Sequence, residues 1–253
     1  KYGAFAQLSK DLFRNKLALS LGLRVDGNNF NSEMENPFNQ LSPRLSASYS
    51  INDRFRINAN AGTYFQLPAY TILGYRDSTT TLVNKNVSYI QCDHFVGGIE
   101  YTSPAFLRVT VEGFLKNYSH YPFDLRDSIS IANQGSDFGV VGTVPVNSMN
   151  KGRAYGAEIL VQQKLNKNMY GILAYTFVRS EFQDYKGDYI PASWDYQHIL
   201  SVTAGKYLKK NWEIGARFRY NSGSPYTPYQ VAASMEKSNF DITGQGILDK
   251  QKL

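Results

Sequence analysis

Three histidines, one cysteine and a scatter of carboxylates are what this 253-residue chain offers for side-chain chemistry. His94, His120 and His198 show no HxH or HExxH spacing, and no cysteine stands at ligand spacing from them, so no metal site is predicted. Cys92 is the single cysteine and excludes an internal disulfide framework. Asp195 and His198 in DYQH could act as a base and its orienting acid. Three residues apart on a strand, however, they point to opposite faces. No GxSxG element or acidic pair supports a hydrolase. The expectation is no catalytic residue, no cofactor and no enzyme.

Aromatic side chains are the second resource, with 19 Tyr and 15 Phe. Segment 64–91 carries Tyr64, Phe65, Tyr70, Tyr75 and Tyr89, and segment 116–150 carries Tyr118, Tyr121, Phe123 and Phe138. Tyr and Phe give large contact area at low entropic cost and stack on flat solutes or sugars. Tyr64, Phe65, Tyr70, Tyr75, Tyr118 and Tyr121 are therefore the candidate solute contacts. The same rings would serve equally well to pack loops against one another.

What must position these residues is a set of strands. LALSLGLRV places Leu17, Leu19, Leu21, Leu23 and Val25 at alternate positions, with Ala18, Ser20, Gly22 and Arg24 between them. The same period recurs near 2–9, 43–51, 54–63, 92–101, 105–115, 153–164, 168–179, 195–205 and 211–220, about ten strands with no convincing helix between them. A soluble sheet alternates this way, apolar side to the core. A membrane barrel does too, apolar side to lipid.

The connections separate these readings. SKDLFRNK, IND, TSP, LNKN and KYLKKN are short, and they alternate with long segments at 26–42, 64–91, 116–152, 180–194 and beyond 220. Tight periplasmic turns and long outer loops are the pattern of an outer-membrane barrel. Ten residues tilted about 40° also span roughly 25 Å, the height of a barrel's apolar band. Ile57, Val109, Val111, Ile214 and Phe218 join the four leucines as predicted lipid-facing residues. Phe55, Tyr49, Tyr101, Trp212 and Tyr220 stand where apolar faces end, as interfacial girdles do. Glu112, Glu158 and Glu213 are expected on the lumen side with Arg108, Arg217 and Arg219. No apolar run is long enough for a transmembrane helix. The net charge of +6 is spread along the chain, which argues against nucleic acid as a partner.

Several stretches resemble the barrel of TonB-dependent outer-membrane receptors, particularly those of Bacteroidetes-type bacteria. YGAFAQLSKDLFRNKLALSLGLRVD is similar to a characteristic family hairpin, and LSPRLSASYSINDRFRINANAGTYFQLP to the one that follows. HFVGGIEY with RVTVEGFLKNYSHYP, KGRAYGAEI, YTFVRSEF, DYQHIL and FRYNSGSPYTP continue in family order. The resemblance implies a barrel of about 22 strands around an N-terminal plug, importing a scarce solute with energy relayed by TonB. Its partners would be outer-membrane lipid, the plug of the same parent chain and TonB. This chain shows no plug sequence and ends GQGILDKQKL, without a terminal aromatic strand. The expectation is an all-β antiparallel meander, residues 1–253 forming part of such a barrel domain in the outer membrane. A non-transporting adhesin or scaffold barrel, and a soluble β-sandwich binding module, are the alternatives.

Overall fold

The fold is described from a computed structural model over residues 1–134, 142–226 and 228–239. Its strands are β1 Tyr2–Leu12, β2 Leu17–Gly27, β3 Ser42–Ser50, β4 Phe55–Gln66, β5 Ile90–Thr102, β6 Leu107–Asp124, β7 Ile129–Ser130, β8 Val146–Asn166, β9 Met169–Gln183, β10 Tyr189–Pro191, β11 His198–Tyr207 and β12 Glu213–Asn221. Ten long strands form one antiparallel sheet in the order β1-β2-β3-β4-β5-β6-β8-β9-β11-β12. The two short strands, β7 and β10, extend β6 and β9 as side hairpins. Each long strand pairs with its neighbours along the chain, so the sheet is a meander. Among the described residues β1 and β12 do not pair, and the sheet is open.

Register gives each side chain its face. Leu8, Leu21, Leu45, Ala61, Phe95 and Leu115 oppose one another across six strands. The row Ser9, Ser20, Ser46, Asn60 lies one residue away and points to the other side. Leu17, Leu19, Leu21, Leu23, Ile57, Val109, Val111, Ile214 and Phe218 all fall on the apolar face, as strand parity and pairing require. Leu21 is 57% exposed there and Ile214 60%. Exposed leucine and isoleucine over a whole sheet face, with no layer packed on it, are what a sheet presents to lipid. Aromatics edge this face near the short turns, where Phe55 and Tyr101 lie 5.0 Å apart.

Strand positions match the alternation in the sequence, with corrections at the long-loop end. β6, β8 and β9 run 18, 21 and 15 residues. Tyr118 and Tyr121 therefore sit on a strand instead of in a loop. The apolar period stops at Leu115 because the strand continues past the zone where one face must be apolar, leaving KNYSHYPFD without a readable pattern. A bulge interrupts the ladder between Tyr118 and Tyr121, and His120 occupies it with φ of 56°. At the other end of the chain, β11 begins at His198. Asp195 belongs to the preceding loop, where its carboxylate accepts the Ser180 amide. The helices are short turns of four residues, Ser32–Glu35, Tyr70–Leu73 and Val231–Ser234. Phe138 and the terminal GQGILDKQKL lie outside the described residues.

The face assignment carries a prediction. In the complete protein, Leu21→Arg should cost roughly 2–4 kcal/mol of folding stability in lipid vesicles, whereas Ser20→Arg should cost about 1 kcal/mol or less. Leu21→Trp should be tolerated, because lipid accepts a larger ring that a close-packed core would not. A Leu21→Trp penalty as large as that of Leu21→Arg would make this face a protein core.

Candidate functional site

The polar face and the long loops together form the candidate site. The loops pack into a cap with its own small core of Met34, Ile72, Leu73, Val87, Tyr89, Ile131 and Val146, drawn from four separate segments. Two asparagines staple it. The buried Asn84 side chain donates to the carbonyls of Ile72 and Val144, both at 2.9 Å, and accepts from the Val146 amide at 2.9 Å. Asn31 donates to the carbonyls of Lys85 and Val87, both at 2.9 Å, and accepts from the Met34 amide at 2.8 Å. Asparagine suits this work because one side chain supplies donors and an acceptor to strandless backbone that cannot satisfy itself. Neither residue stands out in the sequence, where asparagine in a loop reads as turn chemistry.

A second cluster stacks aromatics above the sheet. Phe182 is 1% exposed, with ring centroids 4.4 Å from Tyr121, 5.5 Å from Tyr118 and 6.1 Å from Trp194. Gly152, opposite Phe182, makes room, since a Cβ there would come within 2.3 Å of the ring. Asn133 donates to the carbonyls of Ile190 and Pro191, and the Ser193 amide donates to the Ala132 carbonyl. Loops 125–134 and 184–197 are thus held together.

The six candidate contacts divide by position. Tyr118, Tyr121 and Phe65 pack against the cap and its clusters. Tyr64 is on the polar face, under the Arg44 guanidinium at 4.4 Å. Tyr70 is 76% exposed on the cap, and the Tyr75 hydroxyl accepts a hydrogen bond from Arg126. Burial lifts the phenol of Tyr89, whose hydroxyl has no hydrogen-bond partner, above its usual range.

Ion pairs balance part of the charge on the polar face. Glu100 takes Arg56 at 3.5 Å and Arg108 at 2.8 Å (Nε), and Arg24 grips both oxygens of Asp26 at 2.6 and 2.7 Å. Glu112 and Glu158 face this side in direct register with each other. Glu213, Arg217 and Arg219 share the same face on β12, and Glu213 accepts from the Tyr170 hydroxyl at 2.7 Å. Glu100 is the acid that strand-by-strand reading missed; its place at the same parity as His94, six residues along, was the available signal. On the opposite face, past the aromatic rim, Arg153 and Arg179 share Glu181. Asp195 lies 3.1 Å from Arg179, and burial raises its carboxyl above the usual range despite that neighbour and the Ser180 amide. His198 instead bonds the Tyr175 hydroxyl at 2.8 Å, so Asp195 and His198 do not meet. Among the described residues no cluster of His, Cys, Asp and Glu could hold a metal ion.

An open antiparallel meander with one lipid-suited face, one polar face and a folded cap at the long-loop end defines a segment of an outer-membrane β-barrel. The chain belongs to the TonB-dependent receptor family, matching its description "TonB dependent receptor-like, beta-barrel" over residues 1–249. That match carries the family and does not bear on the Bacteroidetes-type subset. Members of this family are outer-membrane proteins and not enzymes. The search of curated proteins finds no match. Among solved structures, the fold resembles the ferripyoverdine receptor of the outer membrane of Pseudomonas aeruginosa, at 18% identity over 90% of this chain and 29% of that one, with a TM-score of 0.64. It also resembles the alcaligin outer-membrane receptor FauA from Bordetella pertussis, at 14% identity over 87% of this chain and 37% of that one, with a TM-score of 0.58. The ferric-catecholate import receptor Fiu from K12 E. coli is similar at 14% identity, over 87% of this chain and 35% of that one, with a TM-score of 0.61. The chain spans about a third of the length of these structures.

The cap should depend on its staples. Asn84→Ala strands two carbonyls and an amide in a buried place, at a local cost of about 2–3 kcal/mol. Amide exchange should quicken in 67–89 and around Val146 while the midspan of β4 and β5 stays protected. Unchanged exchange in the cap would show that the staple is dispensable.

Proposed function

We propose that this chain is part of the barrel of an outer-membrane receptor that imports a scarce solute, with energy relayed through TonB. The observation that carries the reading is the family match across nearly the whole chain. Strands and a plug elsewhere in the parent would complete the barrel, because an open sheet edge has no place in lipid. The similar structures named above are receptors for ferripyoverdine, alcaligin and ferric catecholate, and an iron chelate is the first solute class to test.

Within that reading the aromatic candidates have distinct jobs. In this reading Tyr70 and Tyr75 on the cap and Tyr64 on the polar wall touch a solute entering from outside. Phe65, Tyr118 and Tyr121 hold the surface that presents them. A cap stapled by Asn31 and Asn84 favours a preformed platform over a floppy lid, which lowers the ordering cost of binding.

Deleting 67–89 from the full-length receptor should abolish uptake of its solute while heat-modifiable migration, the mark of a closed barrel, persists. Uptake should also stop in cells lacking TonB. Uptake at wild-type affinity after the deletion would place recognition in the plug or the other strands. A protein whose loss leaves every uptake unchanged, with or without TonB, would be the scaffold or adhesin instead.

A further inference from the structure

One row across the polar face has an unbalanced charge. Gln7, Gly22, Arg44, Gly62, His94 and Lys116 oppose one another in register on six successive strands. The row holds two permanent cations and no carboxylate. Ser9, Ser20, Ser46 and Asn60 line one side of it, and Tyr64, Cys92 and Tyr118 line the other. Elsewhere on this face Arg24, Arg56 and Arg108 each have an acid partner, whereas Arg217 and Arg219 on β12 have none among the described residues. Among the described residues Arg44 and Lys116 form no ion pair, and both oxygens of nearby Asp26 are taken by Arg24.

Arg44 is also built in. Its register partners on both sides are glycines, and a Cβ at Gly62 would come within 3.1 Å of Arg44 Cγ and 3.3 Å of the Tyr64 ring. The guanidinium carbon stands over the Tyr64 ring at 4.4 Å from its centroid, and that ring stands 6.0 Å from that of His94. The Arg44 Nε is buried and has no hydrogen-bond partner. Two cavities of about 240 and 200 Å³ open beside the side chain. Gln7, Gly22 and Arg24 border the first, and Ser20, Asn60 and Tyr64 the second. A cation held over a ring, with one buried donor unpartnered and Gln7, Ser20, Ser46 and Asn60 bordering the space beside it, has the makings of an anion seat. The guanidinium fork matches two oxygens at once, and Lys116 adds a point charge further along the row.

We propose that the Arg44–Lys116 row binds a carboxylate-type oxyanion on the inner wall. This rests on the polar face lining the lumen. The carboxylate comes either from a solute in transit or from an acidic side chain of the parent's plug, and both present the same chemistry to Arg44.

The test uses the full-length receptor, purified folded, as wild type, as the double variant Arg44→Gln with Lys116→Gln, and as Arg217→Gln for a control off the row. Tricarballylate, a tricarboxylate, is titrated by calorimetry, and the urea midpoint for plug release is read by proteolysis of the plug. If the seat serves solute, the wild type and Arg217→Gln bind tricarballylate and the double variant binds it roughly tenfold or more weakly. If the plug occupies it, tricarballylate does not bind the wild type, and the plug-release midpoint falls in the double variant but not in Arg217→Gln. Either result supports the seat and names its source. A folded double variant that matches the wild type in both readouts overturns it. Should the double variant fail to assemble, Arg44→Lys and Lys116→Gln are read singly: each must move one readout in the same direction, and no change in either overturns the proposal. TonB-dependent uptake in the same strains reports separately on the transport reading.

Discussion

Water is absent from the bilayer core, and this one condition governs the chain. A backbone amide or carbonyl facing lipid has nothing to bond to, so every strand must be paired along its whole length. Antiparallel neighbours joined by short turns satisfy that demand at the lowest chain cost, and all the long strands here obey it. The same condition leaves β1 and β12 as unfinished edges. Alternation follows as a second consequence, since a strand between lipid and a wet lumen must show leucine to one and serine, asparagine or arginine to the other.

Above the membrane the rule relaxes and the construction changes. β6, β8 and β9 run on past their apolar stretches, because ladder bonds still stabilise strands in water even where no face needs to be apolar. The loops between them lack a ladder. Their backbone groups are satisfied by side-chain amides at Asn31, Asn84 and Asn133, and their apolar residues form a core too small to stand without the sheet beneath.

Charge on the inner wall tells a related story. Glu100 between Arg56 and Arg108 ties β4, β5 and β6 near the short-turn end, where the sheet alone must supply the counter-ions. Higher up, Arg44 lies on Tyr64 between two glycines without an acid.

The alternating leucines, the short and long connections and the strand positions were legible in the amino-acid sequence, because the pleat's period of two is a local property that each strand writes for itself. The lipid-suited face of LALSLGLRV could be read to the residue. Where neighbouring chain segments cooperate, that legibility ended. The extension of β6 through Tyr121, with His120 in its bulge, depends on a partner strand that begins only at Val146. The bond from Asn84 to the Val144 carbonyl, 60 residues away, leaves no local trace, and neither does the sharing of Glu100 between two strands. Nor does Arg44 look unusual in SPRLS until register sets Gly22 and Gly62 on either side of it. Sequence alone favoured a membrane sheet over a soluble one and set which residues of each strand share a face. Which loops hold together, and which charges stand balanced or alone, was decided only by the tertiary structure, because those depend on distances between residues that periodicity never relates.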